Sequence, residues 1–109
     1  MDMTLDEYQV AALRTLSEKG RRSPLENALL GLMGELGEIS EHLKKCRYQG
    51  HKYDPRVMVL EAGDMLYYMA VLAMALGVTL GEIAQANIVK LEARYPEGFD
   101  PERSKNRED

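Results

Sequence analysis

Four acidic side chains, in two pairs, lie at spacings that could do chemistry. Glu35 and Glu38 fall in GELGEISEHLKK, with Glu41 following, and Glu61 and Asp64 fall in LEAGDML. Residues three apart on a helix share a face, with Cβ atoms about 5–6 Å from each other. Two such pairs on two packed helices would gather four carboxylates around one small volume. Two unit charges about 4 Å apart repel by ~4 kcal/mol at an effective dielectric near 20. A cluster of four therefore needs protonation or a cation. An all-carboxylate donor set selects a hard divalent ion, Mg²⁺ or Mn²⁺. Mg²⁺ keeps some waters and also takes phosphate oxygens, which points to phosphate chemistry.

Glu61 and Asp64 are distinguished by their surroundings. They are the only charged residues between Val57 and Leu76, and they share a face with Tyr68. A carboxylate taken out of water is neutralised, paired or placed on a metal, and this stretch offers no cation to pair with. A di-iron bundle would place histidine three residues after a ligating glutamate, and neither Glu38 nor Glu61 has one. His42, four residues after Glu38, could approach the site, though the commoner place for such a group is behind the ligands or at the surface. Around the acids, Lys44, Lys45, Lys90 and Arg94 could neutralise a polyphosphate, Lys as a point charge and Arg as a bidentate fork. Asn87 shares a polar stripe with Lys90 and Arg94, and Tyr68 could contact a sugar or base.

These residues need helices to hold them, and helix signals dominate the chain. Thr4, followed by Asp6 and Glu7, starts a helix predicted over 5–19, with Val10, Leu13 and Leu16 as its apolar stripe and Gly20 as its stop. Arg21, Arg22 and Ser23 are predicted as loop. Ser23-Pro24 is a cap followed by proline at the first helical position. Leu25, Leu29, Leu32, Leu36, Ile39 and Leu43 then recur at spacings of three and four as one core-facing stripe. Gly31, Gly34 and Gly37 interrupt this helix at roughly 1 kcal/mol each relative to alanine. Either something approaches the backbone there or the helix packs tightly. After a loop at 48–53, Asp54-Pro55 repeats the cap signal for a third helix ending at Gly77. That helix is apolar nearly all round, so it must be enclosed on all sides. A second copy of the chain, completing bundles across a dimer interface, would do this. Thr79 and Glu82 form a capping-box pattern for a fourth helix to about Tyr95. The expectation is a four-helix, all-α domain over 1–95, followed by a polar, draped tail over 96–109.

Composition narrows the function. The net charge of −4 gives no basic field for duplex nucleic acid. A single cysteine, Cys46, cannot form an internal disulfide, which suits a reducing cytoplasm. No uninterrupted apolar run reaches the length of a membrane span, since Glu61 and Asp64 break the longest. No P-loop, GxGxxG or Cys/His zinc spacing is present, and no serine or cysteine nucleophile has a base beside it. Water is then the expected attacking group.

At Glu35-x-x-Glu38 and Glu61-x-x-Asp64 the chain resembles the MazG-like nucleotide pyrophosphohydrolases of the all-α NTP pyrophosphatase superfamily, whose pattern is ExxE, a spacer, then ExxD. The resemblance extends to Gln49-Gly50-His51 and to NIVKLEARYPEGFDPERS, from Asn87 to Ser104, which is similar to the end of compact, often phage-associated members. It covers nearly the whole chain. Gly34 departs from a glutamate that many members carry just before the first pair.

The resemblance implies hydrolysis of a nucleoside triphosphate between its α and β phosphates, giving a monophosphate and pyrophosphate. It implies Mg²⁺ held by Glu35, Glu38, Glu61 and Asp64, with Glu38 or Glu41 orienting or deprotonating water. Lys90 and Arg94, with Lys45, would stabilise the leaving pyrophosphate. Asn87 and Tyr68 would complete the substrate contacts, in a homodimer or homotetramer. The competing expectation is a non-catalytic, oligomeric helical module that keeps the metal-binding pairs for a regulatory role.

Overall fold

The computed structural model describes residues 2–107. Met1 and the last two tail residues, Glu108 and Asp109, lie outside the described residues. The order is α1 (Leu5–Leu13), α2 (Glu18–Arg22), α3 (Pro24–Tyr48), α4 (Pro55–Leu76), α5 (Leu80–Arg94) and α6 (Pro101–Lys105). The fold is all-α, with no β-strand among the described residues.

Helix starts follow local chemistry. Thr4 and Glu7 form a reciprocal capping box on α1, and Thr79 and Glu82 form another on α5. Asp54 accepts the Arg56 N–H at 2.9 Å at the start of α4, and Gly77 ends that helix in the left-handed region at φ 72°. Ser23 is different. Its side chain makes no capping hydrogen bond, and Pro24 alone marks the start of α3.

The predicted single helix over 5–19 is two. α1 ends at Leu13, where the Arg21 guanidinium donates to the Leu13 carbonyl at 2.7 Å. Ser17 then caps a new helix by accepting the Gly20 N–H at 3.0 Å. Gly20, Arg21 and Arg22 are therefore helical, where a stop and a loop were expected. Gly20 is buried, and a Cβ there would press on Leu16 and Asn27. The α1 stripe also differs: Val10 is 71% exposed, and the inward side chain is the neighbouring Gln9. Gln9 Oε1 accepts the Leu80 N–H at 2.6 Å, and Asp6 accepts the Gly81 N–H at 2.8 Å. Two residues of α1 thus satisfy the first N–H groups of α5, which a helix cannot satisfy by itself.

The tail is ordered in part. Asp100 caps the short α6, and Arg103 donates to the Arg94 carbonyl at 2.7 Å, closing the end of α5.

α3 and α4 form the principal pair. Ala28 on α3 and Val71 on α4 pack together with Leu16, while Ala70 and Ala73, on α4, pack with Leu80 of α5; Ala28, Val71, Ala70 and Ala73 are fully buried. Only part of the expected core stripe is enclosed. Leu32 and Ile39 are half-buried, but Leu25, Leu29, Leu36 and Leu43 on α3 stand about half exposed. Val59 and Leu60 on α4, and Ile88, Val89 and Leu91 on α5, are exposed as well. The radius of gyration is 17.2 Å, against roughly 13 Å for a compact chain of about this length.

Candidate metal centre

α3 and α4 bring three of the predicted ligands together. One carboxylate oxygen each from Glu35, Glu38 and Glu61 lies within 4.8 Å of the other two. The local reason is helix periodicity: Glu35 and Glu38 stand one turn apart on α3, and the α3–α4 crossing places Glu61 opposite them. Glu38 is exposed, whereas Glu35 and Glu61 are half-buried. One oxygen of Glu35 and one of Glu61 (Oε2 in both) are shut off from solvent and have no hydrogen-bond partner. Buried polar atoms are ordinarily satisfied, and ionised oxygens left bare are more costly than neutral ones. Two orphaned acceptors in a triad of carboxylates match what a hard cation would coordinate.

The electrostatics agree with crowding. The Glu38 carboxyl titrates above its ordinary range, first through its side-chain hydrogen bond with Glu61, then through the charge of Glu61, burial and the charge of Asp64; a hydrogen bond with Glu35 works the other way. Asp64 stands at the margin. It is exposed and outside the 4.8 Å group, yet its charge reaches Glu38, Tyr68 and Tyr8.

Tyrosines border the acids. Burial is the main cause raising the Tyr68 phenol, followed by the charges of Glu35, Tyr67, Asp64 and Glu38. Tyr8 is raised by burial first, then by Asp64 and Tyr67. Tyr67 and Tyr68 meet edge to face, with centroids 5.1 Å apart at 80°. Of these tyrosines, helix spacing points to Tyr68 alone and not to Tyr8 or Tyr67. Tyr67 could have been found as the neighbour of Tyr68, but nothing local ties Tyr8 on α1 to acids on α4.

The other predicted residues lie elsewhere. Glu41 is held by Lys44 at 3.2 Å and Lys45 at 3.9 Å, both on its own helix. His42 Nε2 lies 3.7 Å from Cys46 Sγ and accepts weakly from the Asp54 N–H at 3.5 Å, and its ring sits 6.0 Å from that of Tyr53. It joins the end of α3 to the start of α4. Asn87 and Lys90 are exposed on α5. Arg94 is half-buried and lines a cleft of about 360 Å³ with Glu102, Arg103, Asn106 and Arg107. That cleft shares no residue with the acid cluster.

The arrangement can hold a divalent cation on α3 and α4, with one face open at Glu38. Residues 23–99, which contain every acid of the cluster, match the family described as MazG nucleotide pyrophosphohydrolase domain. The Gene 37 protein of Mycobacterium phage L5 is 33% identical over 108 residues, covering 88% of this chain and 92% of that protein. No solved structure matches the chain.

Proposed function

Because the chain belongs to the MazG nucleotide pyrophosphohydrolase family, we propose that it is a Mg²⁺-dependent hydrolase cleaving nucleoside triphosphates between the α and β phosphates. The observation that carries this reading is the convergence of Glu35, Glu38 and Glu61 with two buried, unpartnered oxygens inside the matched region. Glu35, Glu38, Glu61 and Asp64 would hold Mg²⁺, with Mn²⁺ as substitute. The ion, when bound, supplies a positive charge that draws the phosphate chain in and makes phosphorus more electrophilic.

The chain's own groups do the rest. Glu38 is the exposed member of the triad, and a titration raised above the ordinary carboxylate range suits it to accept a proton. Its carboxylate takes a proton from the attacking water as the new P–O bond forms. The bridging P–O bond breaks and pyrophosphate leaves. Tyr68, one turn beyond Asp64 on α4 and within reach of the charges of Glu35, Asp64 and Glu38, is assigned to meet the sugar or base. Asn87, Lys90 and Arg94, with Lys45, are assigned to the departing pyrophosphate.

The same reading calls for more than one copy of the chain. Ile88, Val89 and Leu91 lie bare on α5, and Val59 and Leu60 on α4. α4 has the length and mean hydropathy, 1.5, of a membrane-crossing helix. Its two carboxylates argue against lipid as the cover, since each would be costly at bilayer depth. A homodimer or homotetramer, in the reducing cytoplasm that suits the free Cys46, buries these faces instead.

The test is direct. Purified protein is incubated with a panel of canonical and modified dNTPs and NTPs plus Mg²⁺, and pyrophosphate and monophosphate are measured with and without EDTA. Metal-dependent pyrophosphate release is expected from at least one nucleotide. A folded oligomer that releases none would instead be a non-catalytic metal-binding or regulatory module.

A further inference from the structure

Among the three glycines of α3, one differs physically from the other two. A Cβ at Gly34 or Gly37 would meet nothing within 4 Å. A Cβ at Gly31 would overlap Cγ, Cδ1 and Cε1 of the Tyr68 ring. The ring therefore lies against the α3 backbone in the space a side chain at position 31 would take. It also meets the Tyr67 ring nearly at right angles, and both tyrosines pack on the buried Leu16, Ala28 and Val71. Carbon atoms in contact settle at about 3.5–4.0 Å, so a methyl group at position 31 would have to push the ring or the helix away by roughly 1 Å or more.

The place of this contact gives it its meaning. Gly31 precedes Glu35 by four residues, one helical turn, and Tyr68 follows Asp64 by four. The contact thus sits one turn beyond each acid pair, on the faces that turn towards each other. We infer that the Gly31–Tyr68 contact is a positioning device for the metal centre: the missing side chain at 31 and the ring at 68 together set the separation of α3 and α4 at which Glu35 and Glu38 meet Glu61. This rests on the proposed metal reading, and it gives Tyr68 a task distinct from any contact with substrate. Helices that part by even a fraction of the ligand radius lose a divalent site, because coordination distances tolerate only about 0.2 Å.

The experiment uses the nucleotide-free, full-length protein and Mn²⁺ alone, with bound metal read from loss of the free-ion EPR signal and helicity followed by circular dichroism. Gly31→Ala is expected to weaken Mn²⁺ binding by about tenfold or more, the range for residues that orient metal ligands. Gly34→Ala, made in open space, should leave affinity unchanged. Tyr68→Ala, which removes the spacer, should also weaken binding. The double variant should bind no more weakly than Tyr68→Ala alone, since its methyl group then has nothing to strike. Wild-type affinity in a helical Gly31→Ala protein, or additive losses in the double variant, would overturn the inference. If Gly31→Ala does not fold, Tyr68→Ala decides by itself, and unchanged affinity there overturns it. A wild-type protein that takes no Mn²⁺ at all defeats the metal reading, and the positioning role with it, a result none of the variant comparisons can mimic.

Discussion

The α3–α4 pair and the α5–α6 arm both carry polar residues that phosphate chemistry would use, and the fold treats them in opposite ways. On α3 and α4 the acids converge within a single chain: three carboxylates from two helices come within 4.8 Å, on helices joined by the fully buried Ala28 and Val71. On α5 the polar stripe does not converge on them. Asn87 and Lys90 face solvent, Arg94 faces the α6 cleft, and the apolar side of the same helix lies bare at Ile88, Val89 and Leu91. Contact by contact, α5 is fastened mainly at its first turn, through Asp6, Gln9 and the buried Leu80. The acidic half of the candidate site is thus built by one chain, while the basic half sits on an element with an unfinished hydrophobic face. On the proposed reading the second half is finished only by assembly.

The largest effect tests the acidic half. Glu38→Gln removes the proton acceptor and one ligand charge, so pyrophosphate release should fall by at least about 100-fold. Without metal, thermal stability should hold or rise, because a repulsive charge is gone; a variant that unfolds would make Glu38 structural. The pH profile has the same origin. The folded-state value for Glu38 lies above its ordinary one, so its contribution to stability is full below the ordinary carboxylate range and is lost as pH rises through the raised value. Metal-free protein should therefore melt lower as pH is raised through that window, while Mg²⁺ affinity climbs. Melting curves with EDTA and with excess Mg²⁺ would separate the two, and a pH-independent difference between them would count against Glu38 as a ligand.

Next comes the unfinished face. Ile88→Asp places a charge on the exposed side of α5, away from the acids. If that side is an interface between copies, sedimentation should show a shift to smaller species and turnover should drop with it, while Mn²⁺ binding at the α3–α4 centre persists. An undiminished, active oligomer would mean that α5 has no partner on that side.

A smaller, purely structural effect tests how the arm is fastened. Gln9→Ala leaves the Leu80 N–H buried without its acceptor, an omission worth about 1–3 kcal/mol. For a domain near this size that lowers the melting temperature by about 4–8 °C per kcal/mol. A change of under about 0.5 kcal/mol would show that the first turn of α5 does not depend on α1.

These regions also differ in how far they could be read from sequence. Three of the four expected acids meet, and they were legible because the information is local: pairs at a spacing of three, each on a strongly signalled helix. Asp64, exposed outside the group, shows that spacing alone does not fix which member of a pair turns inward. The capping boxes at Thr4–Glu7 and Thr79–Glu82 were legible for the same reason. Gln9 was not, since its partner lies 71 residues away and a polar residue beside Val10 reads as the solvent side. The break between α1 and α2 depends on Arg21 reaching back to the Leu13 carbonyl, a tertiary contact that no periodicity records. Gly31, Gly34 and Gly37 look alike in sequence, and only the Tyr68 ring tells one from the others. The fastening of α5 to α1 is carried by such distant pairs.

The smallest effect decides a question the sequence left open, which acid serves as the base. Glu38 and Glu41 share a helix face, so spacing cannot choose between them. The structure separates them by partners. Glu38 faces Glu61 and Asp64 and titrates high, while Glu41 is engaged by Lys44 and Lys45. With both lysines on its own helix holding it away from the triad, Glu41 is the less well placed of the two to meet the attacking water. Ion pairs of this exposed, one-turn kind contribute only about 0.3–0.5 kcal/mol each. Glu41→Gln should therefore change stability by less than about 1 kcal/mol and leave the pH dependence of turnover in place. Any loss of rate should appear in KM, through a freed Lys45, and not in kcat. A collapse of kcat in Glu41→Gln with Mn²⁺ affinity intact would transfer the base to Glu41. It would also mean that the lysines release it when nucleotide binds.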